Sequence, residues 1–85
     1  IMEISNVLTS MKSLDEQIEI ANEQVENSKL TIFQSNLLFN SGYATYLEVI
    51  NAQRVALESE LKYNKLKEQR LQMKIDIFKA LGGGW

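Results

Sequence analysis

The sequence of 85 residues contains no proline, and this absence constrains the fold more than any other feature. Proline normally marks turns and helix ends, because its ring fixes φ and removes a backbone donor. A chain of this length without proline is therefore typical of long, uninterrupted helices. The chain also lacks cysteine and histidine, which excludes a thiol nucleophile, a disulfide framework, a zinc finger and a histidine base.

The charges are nearly balanced, with 9 Lys and Arg against 11 Asp and Glu, a net charge of -2. A protein that binds nucleic acid would carry a clear basic excess, so we expect no nucleic-acid partner. The first half of the chain is acidic and the second half basic, which suits two helices lying side by side. No apolar stretch is long enough to span a bilayer and no signal peptide is visible. Because the chain begins within a helical pattern, we expect it to be a piece of a longer protein.

Apolar residues recur at alternating spacings of three and four in the first half of the chain. This heptad pattern predicts a coiled-coil helix over about residues 1–39. The residues of this first-helix seam are Ile4, Val7, Met11, Leu14, Ile18, Ala21, Val25, Ser28, Ile32, Ser35 and Phe39. The seam weakens at its two serines, where Leu30, Phe33 and Leu37 make another face apolar. We therefore expect this helix to change or gain a partner toward its end.

The segment around Gly42 is the only plausible break before the C-terminus, and it predicts a tip turn over residues 40–45. Thr45 and Glu48 are spaced as a capping box, in which each side chain bonds the backbone of the other residue. A turn this short makes the two helices antiparallel neighbours. The predicted fold is thus all-α, a long antiparallel α-helical hairpin with coiled-coil packing.

The second helix is predicted over about residues 46–81, followed by a Gly-rich end at 82–85, and it carries two seams. The Leu47 seam consists of Leu47, Ile50, Arg54, Leu57, Leu61, Asn64, Glu68, Leu71, Ile75 and Phe78. The Ala52 seam consists of Ala52, Ala56, Ser59, Tyr63, Leu66, Arg70, Met73, Ile77 and Ala80. A helix with two nearly opposite apolar seams needs neighbours on both sides, as in a wall of helices. In a single hairpin we expect the Ala52 seam and the face from Leu30 to Leu37 to be exposed, and the isolated hairpin to self-associate or dimerise through them.

Several polar features allow two interpretations. Four glutamates at helical spacing could form a cation site or a channel lining, although a solvated coiled-coil face is the favoured interpretation; they are Glu16, Glu19, Glu23 and Glu26. Tyr43 and Tyr46 flank the turn, either as docking contacts or as packing that fixes it. The polar members of the Leu47 seam either specify register or border a water-filled lumen. No nucleophile, base and orienting partner occur together, so we expect no enzyme, no cofactor and no metal site.

The residues around the turn resemble the second-repeat tip of the outer-membrane factors, the TolC-like exit ducts of tripartite efflux pumps. In that family an aromatic residue and a glycine precede a Tyr-Leu pair and an Ala-Gln-Arg triplet. The matching residues here are Phe39, Gly42, Tyr46, Leu47, Ala52, Gln53 and Arg54. The ending Lys79-Ala80-Leu81-Gly82-Gly83-Gly84 also resembles the lipoprotein-type members that serve drug and metal efflux pumps.

The resemblance implies a fold, a location and partners. Three protomers of the family, each with two such repeats, close a periplasmic α-barrel below an outer-membrane β-barrel. This chain would then be one hairpin of a homotrimeric outer-membrane protein, with this segment in the periplasm. Its tip would dock on a periplasmic adaptor, or membrane fusion protein, that links it to an inner-membrane pump. The implied docking residues are Asn40, Ser41, Gly42, Tyr43, Ala44 and Thr45.

Two functions therefore remain open at the level of sequence. The first is a channel-wall segment of an efflux duct that exports drugs, metals or other small toxic compounds and performs no chemistry itself. The alternative is a stand-alone coiled-coil module that dimerises into a four-helix bundle. The duct is the favoured interpretation, because the tip motif and the doubled seam of the second helix occur in one chain.

Overall fold

A computed structural model describes the backbone of residues 4–82 and the side chains from Asn6 onwards. Within this range the chain forms two helices, α1 (Ile4–Asn40) and α2 (Tyr46–Ala80). They run antiparallel as a rod-shaped hairpin of 62 × 21 × 14 Å. The predicted all-α helical hairpin is confirmed. The predicted helical start at residues 1–3 and the glycines of the Gly-rich end beyond Gly82 lie outside the described residues.

The first-helix seam packs against α2 along the described length of the hairpin. Its members from Val7 to Ser35 are all buried or half-buried, whereas Phe39 near the turn is exposed. Ser28 is buried as well, because its hydroxyl donates to the Val25 carbonyl oxygen at 2.8 Å and so carries no unpaired polar group into the interface. The predicted packing seam of α1 is therefore confirmed through Ser28 and Ser35, where the sequence pattern weakens.

The expectation about α2 was wrong, because the Ala52 seam is the one that packs on α1. Its residues from Ala52 to Ile77 are buried or half-buried, together with Val49. The Leu47 seam is exposed over its whole length. The physical reason lies in side-chain size, because small residues let two helices approach closely. Val49, Ala52 and Ala56 are small enough to fit between close helices, whereas leucines at those levels would push the helices apart.

The packing changes character along the hairpin. In the half nearer the turn, the buried residues are small, namely Val25, Ser28, Val49, Ala52 and Ala56. Toward the open end, Leu14, Ala21 and Leu66 form a buried cluster. Ile18, Tyr63 and Met73 pack against this cluster. The hairpin therefore has one narrow apolar interface between its two helices.

Candidate functional site

The turn begins where α1 ends in a Schellman motif. The amide of Tyr43 donates to the Leu38 carbonyl oxygen at 2.7 Å, and the amide of Gly42 donates to the Phe39 carbonyl oxygen at 3.0 Å. Gly42 has φ of +83°, the left-handed conformation that this motif requires and that glycine adopts without a steric penalty. The backbone therefore reverses direction over few residues, and the exposed Gly42 lies within the bend.

A capping box then starts α2. Thr45 has an extended backbone, and its hydroxyl accepts a hydrogen bond from the Glu48 amide at 3.3 Å. In return the Glu48 carboxylate accepts from the Thr45 amide at 3.1 Å. This carboxylate also lies at the positive end of the helix dipole. The turn is thus fixed by backbone hydrogen bonds at the end of α1 and by hydrogen bonds between side chains and backbone at the start of α2.

The aromatic residues of the turn have separate positions. The rings of Phe39 and Tyr46 contact each other across the turn, with centroids 5.7 Å apart at 50°. Tyr43 lies between them in sequence, yet 82% of its surface is exposed. Packing therefore holds the ring of Tyr46 against the turn, while the ring of Tyr43 projects into solvent from the end of the hairpin.

The second candidate surface is the Leu47 seam, which lies on the outside of α2. Large apolar residues recur along it, and Leu47, Leu57 and Leu61 are each more than half exposed. Arg54 interrupts the seam and donates to the Asn51 side-chain oxygen at 2.7 Å and to the Glu58 carboxylate. The polar members of this seam therefore do not set the register of the hairpin core, because they are outside it.

A third surface runs along the outside of α1. The glutamates Glu16 to Glu26 and the apolar residues Leu30 to Leu37 continue one stripe at the same helical spacing, and all are exposed. The stripe is acidic toward the open end and apolar near the turn. Among the described residues, no group of acidic side chains is arranged to hold a metal ion.

One ion pair that the sequence analysis did not identify links the two helices. The Arg70 guanidinium bonds the Asp15 carboxylate across the interface, with both side chains partly exposed. The sequence contains a signal for this pair, since Asp15 and Arg70 are equally distant from the turn and an antiparallel hairpin brings such positions to one level. At the open end, Val7, Met73 and Ile77 line an open groove of about 570 Å³ whose lining is mainly apolar.

No helix in residues 4–82 has an apolar stretch that could cross a membrane. The sequence profile of the family described as "Outer membrane efflux protein" matches residues 1–83. The chain belongs to this family. This match agrees with the resemblance at the turn. It also covers the earlier part of α1, where the resemblance depended on the heptad pattern alone.

Individual relatives from several bacteria match nearly the whole chain. The probable outer membrane lipoprotein SilC of Salmonella typhimurium is 30% identical over 83 residues, which cover 98% of this chain and 18% of SilC. The cation efflux system protein CusC of Escherichia coli O157:H7 is 29% identical with the same coverage of each chain. The toluene efflux pump outer membrane protein TtgI of Pseudomonas putida is 28% identical, again over 98% of this chain and 18% of TtgI.

The chain thus spans less than a fifth of the length of these relatives. No solved structure matches it significantly. The family is therefore established by sequence. The geometry of the turn, of the Leu47 seam and of the exposed stripe on α1 is observed in this hairpin itself.

Proposed function

We propose that this hairpin is a wall segment of the periplasmic α-barrel of an outer-membrane efflux duct. The observation that carries the proposal is the Leu47 seam of α2. In this member of the family, α2 carries two apolar seams, and α1 covers only the Ala52 seam. A large apolar surface that is left exposed in one hairpin indicates an interface with another element. In a wall of helices the Leu47 seam would be covered by the next helix.

The outside of α1 supports the same arrangement near the turn. Leu30, Phe33 and Leu37 are each more than half exposed. Both helices therefore present apolar side chains on the edges of the hairpin that face away from each other. A hairpin with two such edges can be extended on both sides, as the closed homotrimeric barrel requires, whereas a stand-alone dimer needs only one.

We also propose that the turn docks on a periplasmic adaptor protein, with residues 40–45 as the contact. The turn is held by a Schellman motif and a capping box, so its shape is fixed before it meets a partner. Preorganisation of this kind lowers the entropic cost of binding. Tyr43 supplies a rigid, exposed aromatic ring, a residue type that often contributes strongly at protein interfaces.

The substrates would be small toxic compounds, by analogy with relatives named for the efflux of cations and of toluene. An inner-membrane pump would drive the export, and the substrate would pass through the assembled barrel. The hairpin itself would perform no catalysis and hold no cofactor. Its contributions would be the barrel wall and the adaptor contact.

Substitution of Gly42 in the full-length protein tests the docking role. At Gly42 an added side chain would meet nothing within 4 Å, so it would project from the tip toward a partner. We expect Gly42→Glu to abolish resistance to exported compounds while the protein still reaches the outer membrane. Gly42→Gln is the control, because glutamine strains this left-handed position as glutamate does and adds no charge. Normal resistance in Gly42→Glu cells would contradict docking through the turn.

A further inference from the structure

The groove at the open end of the hairpin lies between the last two turns of α2 and the start of α1. Val7 of α1 lines it together with Met73, Ile77 and Ala80 of α2, and its volume is about 570 Å³. This volume falls in the range of small-molecule pockets, about 300–1,000 Å³. Val7 and Ile77 belong to the seams that pack the hairpin, yet both are only half-buried. The two helices therefore leave apolar surface of their own interface open at this end.

The lining of the groove also contains a few polar groups. Asn6 and Ser10 of α1 and Asp76 of α2 contribute oxygen atoms beside the apolar side chains. The Asp76 carboxylate accepts a hydrogen bond from the Gln72 side-chain amide at 2.9 Å, and a carboxylate can accept several such bonds. An apolar lining with a few acceptors suits an occupant that is mostly apolar and carries a hydrogen-bond donor.

The end of α2 repeats the geometry with which α1 ends at the turn. Gly82 has φ of +76°, and its amide donates to the Lys79 carbonyl oxygen at 3.0 Å. Gly42 is also left-handed, and its amide makes the equivalent bond to the Phe39 carbonyl oxygen at 3.0 Å. At the turn the chain then reverses so sharply that the ring of Tyr46 contacts the ring of Phe39. The backbone at Gly82 thus starts a reversal of the same kind.

The residues that follow Gly82 in the sequence are two glycines and Trp85. Three residues span at most about 10 Å, and Ile77 lies five positions before Gly82, about 8 Å along the helix axis. After a reversal, a side chain at position 85 can therefore reach the level of Ile77. Tryptophan has a large apolar ring system with one N–H donor, which usually finds an acceptor when the ring is buried. Its chemistry matches the lining of the groove.

We infer that the indole of Trp85 folds back over the end of α2 and docks in this groove, with its N–H directed to the polar residues of the lining. The docked ring covers Val7 of α1 and Ile77 of α2, so one side chain joins the two helices at the end opposite the turn. The apolar surface that the helices leave open is then removed from water. The inference does not depend on the proposed wall function, because it concerns contacts within one chain.

Fluorescence of the 85-residue chain tests this inference, because Trp85 is its only tryptophan. The sample is excited at a wavelength that tyrosine does not absorb, at a concentration at which light scattering shows a monomer. The emission maximum and the quenching by acrylamide are measured, with N-acetyltryptophanamide as the reference for an exposed indole. Ile77→Gln places a polar side chain in the groove. Ile75→Gln is the matched control, since Ile75 belongs to the exposed Leu47 seam and does not line the groove.

Circular dichroism checks that each variant keeps its helix content. If Ile77→Gln loses helix, Ala80→Gln replaces it, because Ala80 lines the groove but is exposed and contributes little to the packing of the helices. Nuclear Overhauser effects between the indole protons and the methyl groups of Val7 provide a direct second measurement. Val7 is on the other helix, so such contacts arise only if the ring lies across the interface.

We expect the unsubstituted chain to emit at a shorter wavelength than the reference, to be quenched less, and to show contacts between Trp85 and Val7. The groove variant should lose the shift in emission and the protection from quenching, whereas Ile75→Gln should keep both. Emission and quenching equal to those of the reference overturn the inference, as do equal effects of the groove variant and of Ile75→Gln. A shielded indole without contacts to Val7, or a shift that vanishes on dilution, assigns the ring to another surface or to a second copy and also overturns it.

Discussion

Replacement of Leu66 by alanine is expected to destabilise the hairpin far more than the same replacement at Leu61. The two leucines lie five positions apart on α2 and belong to different seams. Leu66 is 8% exposed and packs in the cluster with Leu14 and Ala21, whereas Leu61 is 60% exposed on the Leu47 seam. The pair therefore tests directly which seam packs on α1, the point on which sequence and structure disagree.

The expected magnitudes follow from burial. Leu→Ala at a buried position removes about 2 kcal/mol of transfer free energy, at roughly 0.8 kcal/mol per methylene group, and adds a cavity term. The interface between the two helices is flanked by solvent on both sides. Neighbouring side chains can therefore move into the cavity at Leu66 and partly close it. We expect Leu66→Ala to lower the free energy of unfolding by about 2–3 kcal/mol. At Leu61 little burial is lost, and alanine has the higher helix propensity, so the change should stay within about 0.5 kcal/mol.

Urea unfolding of the 85-residue chain, followed by far-ultraviolet circular dichroism, measures both differences if the slopes of the transitions are unchanged. The experiment must use a concentration at which light scattering shows a monomer, because dimerisation through the Leu47 seam would bury Leu61. A transition midpoint that is independent of protein concentration is the second control. A larger loss for Leu61→Ala than for Leu66→Ala in the monomer would refute the assignment of the Ala52 seam as the packed one.

Two further predictions concern polar groups. Thr45→Ala removes one partner of the capping box and should lower the free energy of unfolding by about 1 kcal/mol in the same urea assay, while Thr45→Ser, which keeps the hydroxyl, should stay close to the original value. Arg70→Met keeps the apolar part of the side chain but removes the partly exposed pair with Asp15, so we expect a change of at most about 1 kcal/mol that disappears in high salt. A large loss that persists in high salt would mean that Arg70 acts through packing and not through the ion pair.

The fold could be predicted from the sequence because each local signal points to the same structure. The heptad spacing of α1 is regular from Val7 to Ser35, and the face that it predicts is the one that packs on α2. The glycine at the turn and the Thr45–Glu48 pair mark the end of one helix and the start of the next. These signals depend on neighbouring residues alone, so they can be identified without knowledge of the tertiary structure.

The packed seam of α2 could not be predicted in this way. Both seams have heptad spacing, and the Leu47 seam contains the larger apolar side chains, so hydrophobicity alone favours it. The small residues of the Ala52 seam allow close approach of the two helices, and this tertiary effect is not measured by hydrophobicity. The Asp15–Arg70 pair is hidden for a related reason, because it joins residues that are distant in sequence and becomes visible only once the centre of the turn is known.

The choice of seam also links folding to assembly. The hairpin covers small residues such as Ala52 and Ala56 and leaves Leu47, Leu57 and Leu61 exposed. Since hydrophobic stabilisation grows with the apolar area removed from water, the Leu47 seam can contribute more than the Ala52 seam, but only when a neighbouring helix covers it. A partner that binds the folded hairpin and not the unfolded chain adds its binding free energy to stability. A hairpin of this kind is therefore expected to be weakly stable alone and to reach its full stability only as part of a wall.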